Sequence, residues 1–432
     1  MYWDIKHEMM DKKQIEIYQL ERLNKTLEYS LKTPYYKSLF NKINFKGFNS
    51  IDDIKNIPFT TKDDLRGGFP YGMLAVDLDD VVRLHSSSGT TGVPTVVYLN
   101  RNDLNLWSDL VARNMYMVGG RKSDVFQNMM GYGLFTGGIG FHYGAESVGM
   151  LTIPSGPGNS QRQIWFMQQF KTTIIHILPS YALRLSDHIK EAGVDIKKDL
   201  NLRMAYIGAE PHSAEIRKKI EEIYGIKAYN SYGLSEMCGP GVAFECEHQN
   251  GMHIWEDYFY PEIIDPVTER VLDDGEEGEL VLTTLRKEAM PIFRYRTRDL
   301  TRIIPGKCKC GREHRRIERI KGRSDDMLII NGVNLFPIQI EKSLMSELSI
   351  GTNYLIEVIK ENHMDKIIVN VEINSKHFGG TLYEVEQLQK KLIDKLKTEL
   401  LVTPIVKIHE SGTLPSTEGK AQRVIDHRNK GE

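Results

Sequence analysis

Ser86-Ser-Ser-Gly-Thr-Thr-Gly-Val-Pro94 is the most distinctive local motif of this sequence. Its small hydroxyl residues and two glycines leave backbone N–H and side-chain O–H groups free to surround phosphate oxygens. Glycine also allows a ligand to approach the backbone closely. A Ser/Gly-rich surface turn has the same composition. Taken alone, the stretch therefore leaves both a phosphate site and a plain turn open.

Two familiar nucleotide-binding patterns do not fit the chain. The loop lacks the Gly-Lys-Ser/Thr ending of a Walker A motif at the required spacing. The glycine-rich residues 131–138 carry Thr136 where a dinucleotide-binding fingerprint needs its third glycine. The sequence therefore argues against a P-loop kinase and against a Rossmann dehydrogenase.

More motifs follow the loop along the chain: Tyr232-Gly-Leu-Ser-Glu236, Tyr295-Arg-Thr-Arg-Asp-Leu300, Gly322-Arg-Ser-Asp-Asp326 with Asn331-Gly-Val-Asn334, and Leu414-Pro-Ser-Thr-Glu-Gly-Lys420. In this order they resemble the adenylate-forming superfamily, which joins acyl-CoA synthetases, luciferases and peptide-synthetase adenylation domains. Residues 58–66, 208–211, 255–262 and 287–296, and the short chain, are similar to its phenylacetate–coenzyme A ligase branch. The resemblance covers essentially the whole sequence.

The hydrophobic pattern predicts an α/β protein. From about residue 80 to 325, apolar runs such as residues 173–178 alternate with helical patterns such as residues 212–224. Beyond that, residues 355–359, 367–373 and 406–408 are typical of strands, and residues 385–400 of an amphipathic helix. The resemblance implies a large N-terminal adenylate-forming domain, residues 1–324, and a small mobile α+β C-terminal domain, residues 325–432.

The composition excludes some classes of function. The 432 residues carry 56 Lys and Arg against 58 Asp and Glu, so the net charge is −2. A near-neutral protein has no positive electrostatic field to attract nucleic acid or an anionic membrane. No apolar run reaches the roughly 18 residues of a membrane span, and the N-terminus has no apolar signal region. We expect a cytoplasmic location. A homodimer is the expected assembly, and the stripe of Ile17, Leu20, Leu23, Leu27 and Leu31 on an N-terminal helix offers one surface for it.

The resemblance implies that ATP, Mg²⁺ and coenzyme A take part in the reaction. Lys420 is the implied catalytic cation between carboxylate and α-phosphate; otherwise it is a surface lysine. Glu236 is the implied Mg²⁺ ligand; otherwise it caps a helix. The implied ATP- and AMP-binding residues are Ser86, Ser87, Ser88, Gly89, Thr90, Thr91, Gly208, Ala209, Glu210, Pro211, Tyr229, Asn230, Ser231, Tyr232, Gly233, Asp299 and Arg323. Among them, Tyr232 or Tyr229 is available to stack on adenine, and Asp299 either accepts from the ribose hydroxyls or pairs with Arg296 or Arg298.

Residues 130–145 combine aromatic side chains with glycines, and the resemblance places this segment at the acid pocket. Aromatic walls with glycine gaps suit an aryl ring, although core aromatics with glycine kinks give the same pattern. The predicted pocket residues are Tyr132, Phe135, Phe141, Ala209, Gly233 and Pro240. Phenylacetate fits the branch, while benzoate, an indole-acetate and a hydroxylated phenylacetate remain open.

The C-terminal domain of this superfamily swings between two half-reactions. The resemblance makes Asp325 the hinge and assigns Asn331, Gly332 and Val333 to the arrangement that admits coenzyme A. A hinge is an element-terminal residue that absorbs a change in backbone dihedrals. A fixed polar turn is the alternative.

The chain has four cysteines, too few for a disulfide framework. Cys246, His253, Cys308 and Cys310 form a candidate structural Zn²⁺ site, because two short turns can each supply a pair of soft donors. His248 or His314 is the possible substitute ligand, and reduced thiols with surface histidines are the alternative. We expect Cys238 to line a pocket.

Three functions remain in competition. The first is an ATP-dependent ligase that converts a phenylacetate-like aryl acid into an acyl-adenylate and then into its coenzyme A thioester, releasing AMP and pyrophosphate. The second is an adenylating enzyme with another acceptor, either a carrier protein or a deazaflavin. The third is a nucleotide-binding regulator without catalysis, which the presence of Lys420, Glu236 and Asp299 disfavours.

Overall fold

The computed structural model describes residues 1–86, 94–331, 333–361, 364–374, 381–415 and 423–428. Within these ranges the chain is an α/β protein with a large N-terminal part and a smaller C-terminal part, as the sequence predicts. No helix in the described ranges is long and apolar enough to cross a membrane.

The helices of the N-terminal part are α1 (Ile5–Glu8), α2 (Lys12–Ser30), α3 (Pro34–Lys42), α4 (Lys62–Gly67), α5 (Arg101–Met117), α6 (Gly137–Val148), α7 (Ser160–Gln169), α8 (Pro179–Glu191), α9 (Ile196–Asp199) and α10 (Ala214–Tyr224). Its strands are β1 (Val81–Ser86), β2 (Val96–Asn100), β3 (Val125–Asn128), β4 (Leu151–Ile153), β5 (Ile174–Ile177), β6 (Met204–Gly208), β7 (Lys227–Leu234), β8 (Gly239–Glu245), β9 (Met252–Ile254), β10 (Phe259–Ile264), β11 (Gly278–Thr284), β12 (Tyr295–Thr301), β13 (Ile303–Ile304), β14 (Arg316–Ile317) and β15 (Gly322–Arg323).

A nine-stranded sheet forms the centre of this part, in the order β13-β14-β9-β8-β7-β6-β5-β3-β4. Strands β4, β3, β5, β6 and β7 are parallel, and the others pair antiparallel. Strands β5 and β6 are buried along their whole length. Such strands need helices on both faces of the sheet.

Alternate residues of the central strands enter two separate cores. Ile174 and Tyr206 pack with residues of α5 and α6 on one face. Ile175 and Ile207 pack with residues of α7, α8 and α10 on the other. Successive side chains of a strand point to opposite faces, so this continuous apolar pattern produces the three-layer architecture.

Two further sheets complete the N-terminal part. Strands β10, β11, β12 and β15 form an antiparallel sheet in that order, and β1 pairs with β2. The first sheet carries residues 295–301, and β1 ends at Ser86, the first residue of the predicted phosphate loop, residues 86–94. Both sequence motifs therefore begin on ordered strands.

The N-terminal helix differs from its predicted stripe. In α2, Leu23 and Leu27 are buried, but Ile17 and the C-cap residue Leu31 are exposed. The buried face instead includes Gln19 and Thr26, whose side chains donate to backbone carbonyls of the N-terminal part. Because these polar groups are satisfied, they lie against the core where the periodicity alone predicts apolar residues.

The C-terminal part contains α11 (Pro337–Met345), α12 (Leu382–Leu400), β16 (Leu328–Ile330), β17 (Val333–Leu335), β18 (Ile350–Glu361), β19 (Met364–Ile373), β20 (Ile405–His409) and β21 (Val424–Asp426). Strands β16 and β17 form a hairpin, and the other four form a sheet in the order β20-β19-β18-β21. Leu388, Leu392, Leu396 and Leu400 of α12 pack on this sheet. The predicted strands and helix are confirmed.

Candidate functional site

A cavity of about 190 Å³ opens where β6 and β7 end. Parallel strands present ligand sites at their carboxyl ends. The cavity contains part of the predicted nucleotide set: Ala209, Glu210, Pro211, Asn230, Ser231, Tyr232, Gly233, Asp299 and Arg323. Motifs more than a hundred residues apart in the sequence therefore meet in one place.

Local backbone geometry shapes the floor of the cavity. Gly208 ends β6, and a Cβ atom there would lie 2.5 Å from the carbonyl oxygen of Ser231 on β7. Ala209 follows with a φ of 63°, in the left-handed region that ordinary residues avoid. Such strain is typical of functional sites. Tyr232 lines the cavity, whereas Tyr229 is buried in β7 and is not among the lining residues.

Asp299 is held inside the cavity by two neighbours. The hydroxyl of Tyr232 donates to its carboxylate at 2.6 Å, and the Arg323 guanidinium lies 3.7 Å away. Burial raises the pKa of Asp299 to about 6, against the opposing effects of these two partners. An unionised carboxyl is therefore accessible at mildly acidic pH.

The alternative pairing of Asp299 does not occur. Arg296 instead pairs with Glu279 and Glu269, and the nearest carboxylate to Arg298 is also that of Glu279, at 3.5 Å. The Asp299 carboxylate thus faces the cavity with Tyr232 and Arg323 and is available to a ligand.

Glu236 lies in the 3-10 turn Ser235–Met237 that follows β7. Its buried carboxylate accepts a hydrogen bond from the Tyr295 hydroxyl at 3.1 Å. The Lys287 ammonium donates to the backbone carbonyl of Glu236 at 3.0 Å, and burial lowers the pKa of this lysine. Tyr295 and Lys287 are not among the predicted site residues, although both lie within residues 287–296, which carry the resemblance.

Arg323 connects the cavity to the start of the C-terminal part. Its guanidinium donates twice to the Asp325 carboxylate, at 2.8 Å each. Burial lowers the pKa of Arg323, but the hydrogen bonds to Asp325 and the negative charge of Asp299 outweigh this effect and keep the pKa above its ordinary value. Asp325 is therefore bound to an arginine that lines this cavity, which we call the nucleotide cavity after its predicted ligand.

Asn331 and Val333 do not line the cavity. Asn331 has a φ of 49° at the tip of the β16–β17 hairpin, and its side chain exchanges two hydrogen bonds with the backbone of Asp365, at 2.9 and 3.0 Å. Val333 begins β17. The structure thus places these residues on the C-terminal part, fastened to β19.

Several predicted residues fall outside the described ranges: Ser87, Ser88, Gly89, Thr90, Thr91, Gly332 and Lys420. Ser86 is described, and it ends β1 in a buried position. Its backbone N–H donates to the carbonyl of Leu134 at 3.2 Å. The start of the loop therefore adjoins the glycine-rich segment that precedes α6.

That glycine-rich segment also touches the turn that carries Glu236. The hydroxyls of Thr136 and Ser235 lie 3.2 Å apart. Tyr132 and Phe135 of the same segment are exposed. The predicted acid-pocket segment therefore lies between Ser86 and the turn that carries Glu236.

The remaining predicted pocket residues do not lie in the same exposed segment as Tyr132 and Phe135. Phe141 is fully buried with its ring centroid 3.8 Å from that of His176, so it packs in the core, the alternative that the sequence left open. The carbonyl of Pro240 accepts from the indole N–H of Trp107 at 2.8 Å. Ala209 and Gly233 line the nucleotide cavity.

The predicted zinc ligands form a second cluster beside β9. One ligand atom from each of Cys246, His253, Cys308 and Cys310 lies within 4.8 Å of the other three. The Cys310 sulfur is 3.3 Å from His253 Nε2, and the sulfurs of Cys246 and Cys308 are 3.6 Å apart. Three thiols and one imidazole are the donor set of a closed tetrahedral Zn²⁺ site.

The surroundings of the cluster fix which histidine belongs to it. His253 Nδ1 donates to the carbonyl of His314 at 3.0 Å, which leaves Nε2 as the nitrogen facing the thiols. Both ring nitrogens of His314 are engaged elsewhere, with Glu256 N–H and the carbonyl of His7. His248 lies partly exposed beside Glu247. Neither substitute ligand is in the cluster.

Cys238 lies apart from the cluster. It borders a small cavity of about 20 Å³ together with Asp103, Trp107 and Lys287. Burial raises the pKa of its thiol to about 12. The fourth cysteine is thus an uncharged lining residue.

The N-terminal segment closes over the cysteine cluster. The hydroxyl of Tyr2 donates to the carbonyl of Cys310 at 3.1 Å. Arg312 forms a buried ion pair with Glu8, and His314 holds the carbonyl of His7. The sequence gives no periodic signal for these contacts, because they join residues about 300 positions apart.

Comparison with known proteins matches both parts of the chain. The profile of the family described as AMP-binding enzyme matches residues 42–285, and that of the AMP-binding enzyme C-terminal domain matches residues 332–428. The chain is 46% identical over 420 residues to the phenylacetate–coenzyme A ligase of Pseudomonas putida, covering 95% of this chain and 94% of that protein. It is 42% identical to the enzyme of the same name from Escherichia coli strain K12, covering 96% and 95%.

This chain belongs to the phenylacetate–coenzyme A ligase family of AMP-binding enzymes. Members of this family are AMP-forming coenzyme A ligases, so the chain is an enzyme that forms an acyl-adenylate and then a thioester. The family also accounts for the division into a large nucleotide-binding part and a small C-terminal part.

Solved structures add the arrangement of the two parts. The chain matches 2-hydroxyisobutyryl-CoA ligase in the postadenylation state with a TM-score of 0.93, at 26% identity, over 99% of this chain and 93% of that chain. Against the same ligase in the thioesterification state, with the same coverage and 28% identity, the TM-score is 0.72. Since coverage is equal, the two TM-scores indicate that the two parts of this structure are arranged more as in the postadenylation state of that ligase than as in its thioesterification state.

Proposed function

We propose that this enzyme activates an aryl carboxylic acid of the phenylacetate class with ATP and transfers the acyl group to coenzyme A. The products are the aryl-acyl thioester, AMP and pyrophosphate. The observation that carries the proposal is the nucleotide cavity, which gathers separate adenylation motifs in a chain 46% identical to a phenylacetate–coenzyme A ligase.

In the first half-reaction a carboxylate oxygen attacks the α-phosphorus of ATP, and the bond to pyrophosphate breaks. The two ribose hydroxyls donate to Asp299, and Tyr232 stacks on the adenine beside Ala209 and Glu210. Arg323 supports the ribose side of the cavity. These groups hold the α-phosphorus in line with the acid, and positioning of this kind supplies much of the catalysis of phosphoryl and nucleotidyl transfer.

The negative charge on the phosphates needs neutralising groups. We assign the loop of Ser86, Ser87, Ser88, Gly89, Thr90 and Thr91 to the β- and γ-phosphates. Lys420 is the cation that bridges the carboxylate and the α-phosphate. Glu236 fits Mg²⁺, because its carboxylate is a hard oxygen ligand held in place by Tyr295, and this ion would further neutralise the phosphate oxygens.

In the second half-reaction the coenzyme A thiolate attacks the acyl carbon, and AMP leaves with the bonding electron pair. We propose that the C-terminal domain, residues 325–432, first rotates about Asp325 and removes Lys420 from the site. Asn331, Gly332 and Val333 then face the thiol path. The two arrangements of the related ligase support this step, because the chain matches them over the same share of its length with TM-scores of 0.93 and 0.72.

The aryl ring is assigned to the segment that precedes α6. Tyr132 and Phe135 are exposed there, between the start of the phosphate loop and the turn of Glu236. A carboxylate beside these groups lies next to the phosphates of ATP. Phe141 supports this wall from the core, and Ala209, Gly233 and Pro240 are the remaining candidates for the inner wall.

We also propose that Cys246, His253, Cys308 and Cys310 bind a structural Zn²⁺. Their soft donors fit zinc, and the second ring nitrogen of His253 is already engaged. Zinc there would fix the loop between β13 and β14, which holds the N-terminal segment. The cytoplasmic location and the homodimer stay predictions.

A panel of aryl acids tests the proposed function. Purified enzyme is given ATP, Mg²⁺ and one acid, with and without coenzyme A, and AMP is measured. We expect multiple turnovers only when a phenylacetate-like acid and coenzyme A are both present. AMP formation that does not need coenzyme A would favour another acceptor, and ATP binding without turnover on any acid would favour a regulator.

A further inference from the structure

Glu341 of α11 makes a direct contact between the two domains. Its carboxylate accepts a hydrogen bond from the backbone N–H of Ser213 at 2.8 Å. Ser213 is the N-cap of α10, which belongs to the N-terminal domain. A carboxylate at this position meets the unpaired N–H groups and the positive end of the helix dipole.

The second carboxylate oxygen of Glu341 is bound within its own domain. The Tyr354 hydroxyl of β18 donates to it at 2.7 Å, and Tyr354 is itself buried. When the domains separate, Glu341 thus keeps its hydrogen bond with Tyr354 and loses the one with Ser213. The Tyr354 contact aims the carboxylate at α10 before the domains meet.

Burial makes this contact dependent on closure. Glu341 is 7% exposed, and it lies on the wall of an interdomain cavity of about 460 Å³ with Glu210, His212 and Arg423. A buried carboxylate needs hydrogen-bond donors to offset lost hydration. The backbone N–H of Ser213 donates to Glu341 only while the two domains are in contact. In a more open arrangement, water would have to supply this donor.

We propose that Glu341 is a positioning residue for adenylation: it fastens the C-terminal domain to α10 in the postadenylation arrangement and lets go before thioester formation. The inference rests on the proposed function, in which the two half-reactions use different arrangements. The geometry adds the specific contact that favours the first of them.

The test measures the two half-reactions separately in the full-length enzyme. Adenylation is followed as ATP–pyrophosphate exchange with phenylacetate and without coenzyme A. Thioester formation is followed as AMP release from purified phenylacetyl-adenylate on addition of coenzyme A. For Glu341→Ala we expect adenylation to fall about tenfold, while thioester formation is unchanged or faster. An equal loss in both half-reactions, or no loss in either, would overturn the proposal.

Glu399→Ala is the matched control. Glu399 accepts from the Ser343 hydroxyl of α11 at 2.5 Å, so its removal breaks a bond to the same helix without touching the N-terminal domain. We expect it to leave the ratio of the two half-reactions unchanged. Glu341→Gln keeps an acceptor oxygen for Ser213, and its effect on adenylation should be smaller than that of Glu341→Ala.

A readout without catalysis separates this inference from the proposed function. Fluorophores are attached at Lys218 of α10 and Lys390 of α12, which are both exposed. Energy transfer should report a smaller closed fraction in Glu341→Ala than in the unsubstituted enzyme, even if no aryl acid turns over. Identical distance distributions would contradict the fastening role, whereas a shift without any adenylation would contradict only the proposed function.

Discussion

Asp299 is the residue of the proposed nucleotide site at which burial most affects charge. Its carboxylate faces the cavity between Tyr232 and Arg323, and burial raises its pKa to about 6. Glu236 and Asp325 add negative charge nearby. Below pH 6 the carboxyl binds a proton and becomes a poorer acceptor for ribose hydroxyls, so nucleotide affinity should fall as pH falls.

Asp299→Asn tests this role. A hydrogen bond to a charged group contributes about 1.5–3 kcal/mol, so we expect the KM for ATP to rise at least tenfold at pH 7.5. Initial rates at varied ATP concentration measure this change. In the unsubstituted enzyme the KM for ATP should also rise as the pH is lowered from 7.5 through 6.

The same substitution is the control for the pH profile. The terminal phosphate of ATP also titrates near pH 6, as phosphate groups do, and this effect is common to both enzymes. The ratio of the two KM values should therefore shrink at low pH. A ratio that stays constant from pH 7.5 to 5.5 is incompatible with titration of Asp299.

Lys420→Ala should separate the two half-reactions. The lysine is assigned to charge that develops during adenylation, and removal of one such group typically costs about 10²–10³ in rate. Pyrophosphate exchange should collapse to that extent, while thioester formation from pre-made acyl-adenylate is better preserved. If both steps slow equally, the lysine does not act in one arrangement alone.

Some site residues could be predicted from the sequence and others could not. Asp299 and Tyr232 lie in short motifs, and the structure places both in the nucleotide cavity. Lys287 reaches Glu236 from the loop between β11 and β12, and Tyr295 reaches it from β12, so their role depends on tertiary packing that spacing does not encode. Phe141 is buried against His176, and the sequence left this position open because aromatic composition does not distinguish a pocket wall from a core ring.

At the scale of elements, the cysteine cluster ties β9 and the loop between β13 and β14 to the N-terminus. Cys246 follows β8, and Cys308 and Cys310 lie in that loop. Tyr2, His7 and Glu8 bind the same loop. A metal that fixes the loop would therefore also order the N-terminal segment.

Cys308→Ser tests the metal site. Zinc measured by elemental analysis, after purification without chelator, should fall from about one to near zero per chain. The Tm should also fall, by roughly 2–4 °C for each kcal/mol lost, and amide exchange should increase in α1. Cys238→Ser removes a thiol outside the cluster and should keep its zinc. An unsubstituted enzyme that holds no zinc would refute the assignment.

Helices and strands can be predicted from the sequence where burial of apolar side chains alone determines them. The continuous apolar run of β5 and the leucine stripe of α12 are determined by burial, and they form as predicted. The buried face of α2 is shifted because Gln19 and Thr26 find backbone acceptors. Helix α11 and strand β21 were not predicted, since short segments depend on the sheet they join.

At the scale of the whole molecule, one chain has to support two reactions at one site. The structure matches the postadenylation arrangement of a related ligase and differs from its thioesterification arrangement. Arg323 and Asp325 link the domains at the cavity, and Glu341 links them at α10. The near-zero net charge fits the proposed function, in which a few placed groups such as Lys420 and Arg323 hold the anionic substrates.

Oxygen transfer is the most direct test of the central claim that the acid is activated as an acyl-adenylate. The enzyme is given ATP, coenzyme A and phenylacetate labelled with ¹⁸O in both carboxylate oxygens, and the products are analysed by mass spectrometry. Attack on the α-phosphorus leaves one labelled oxygen in AMP, where it remains when the thiolate displaces the nucleotide. We predict AMP that carries one ¹⁸O for each thioester formed. Unlabelled AMP, or label in pyrophosphate or inorganic phosphate, would contradict the account.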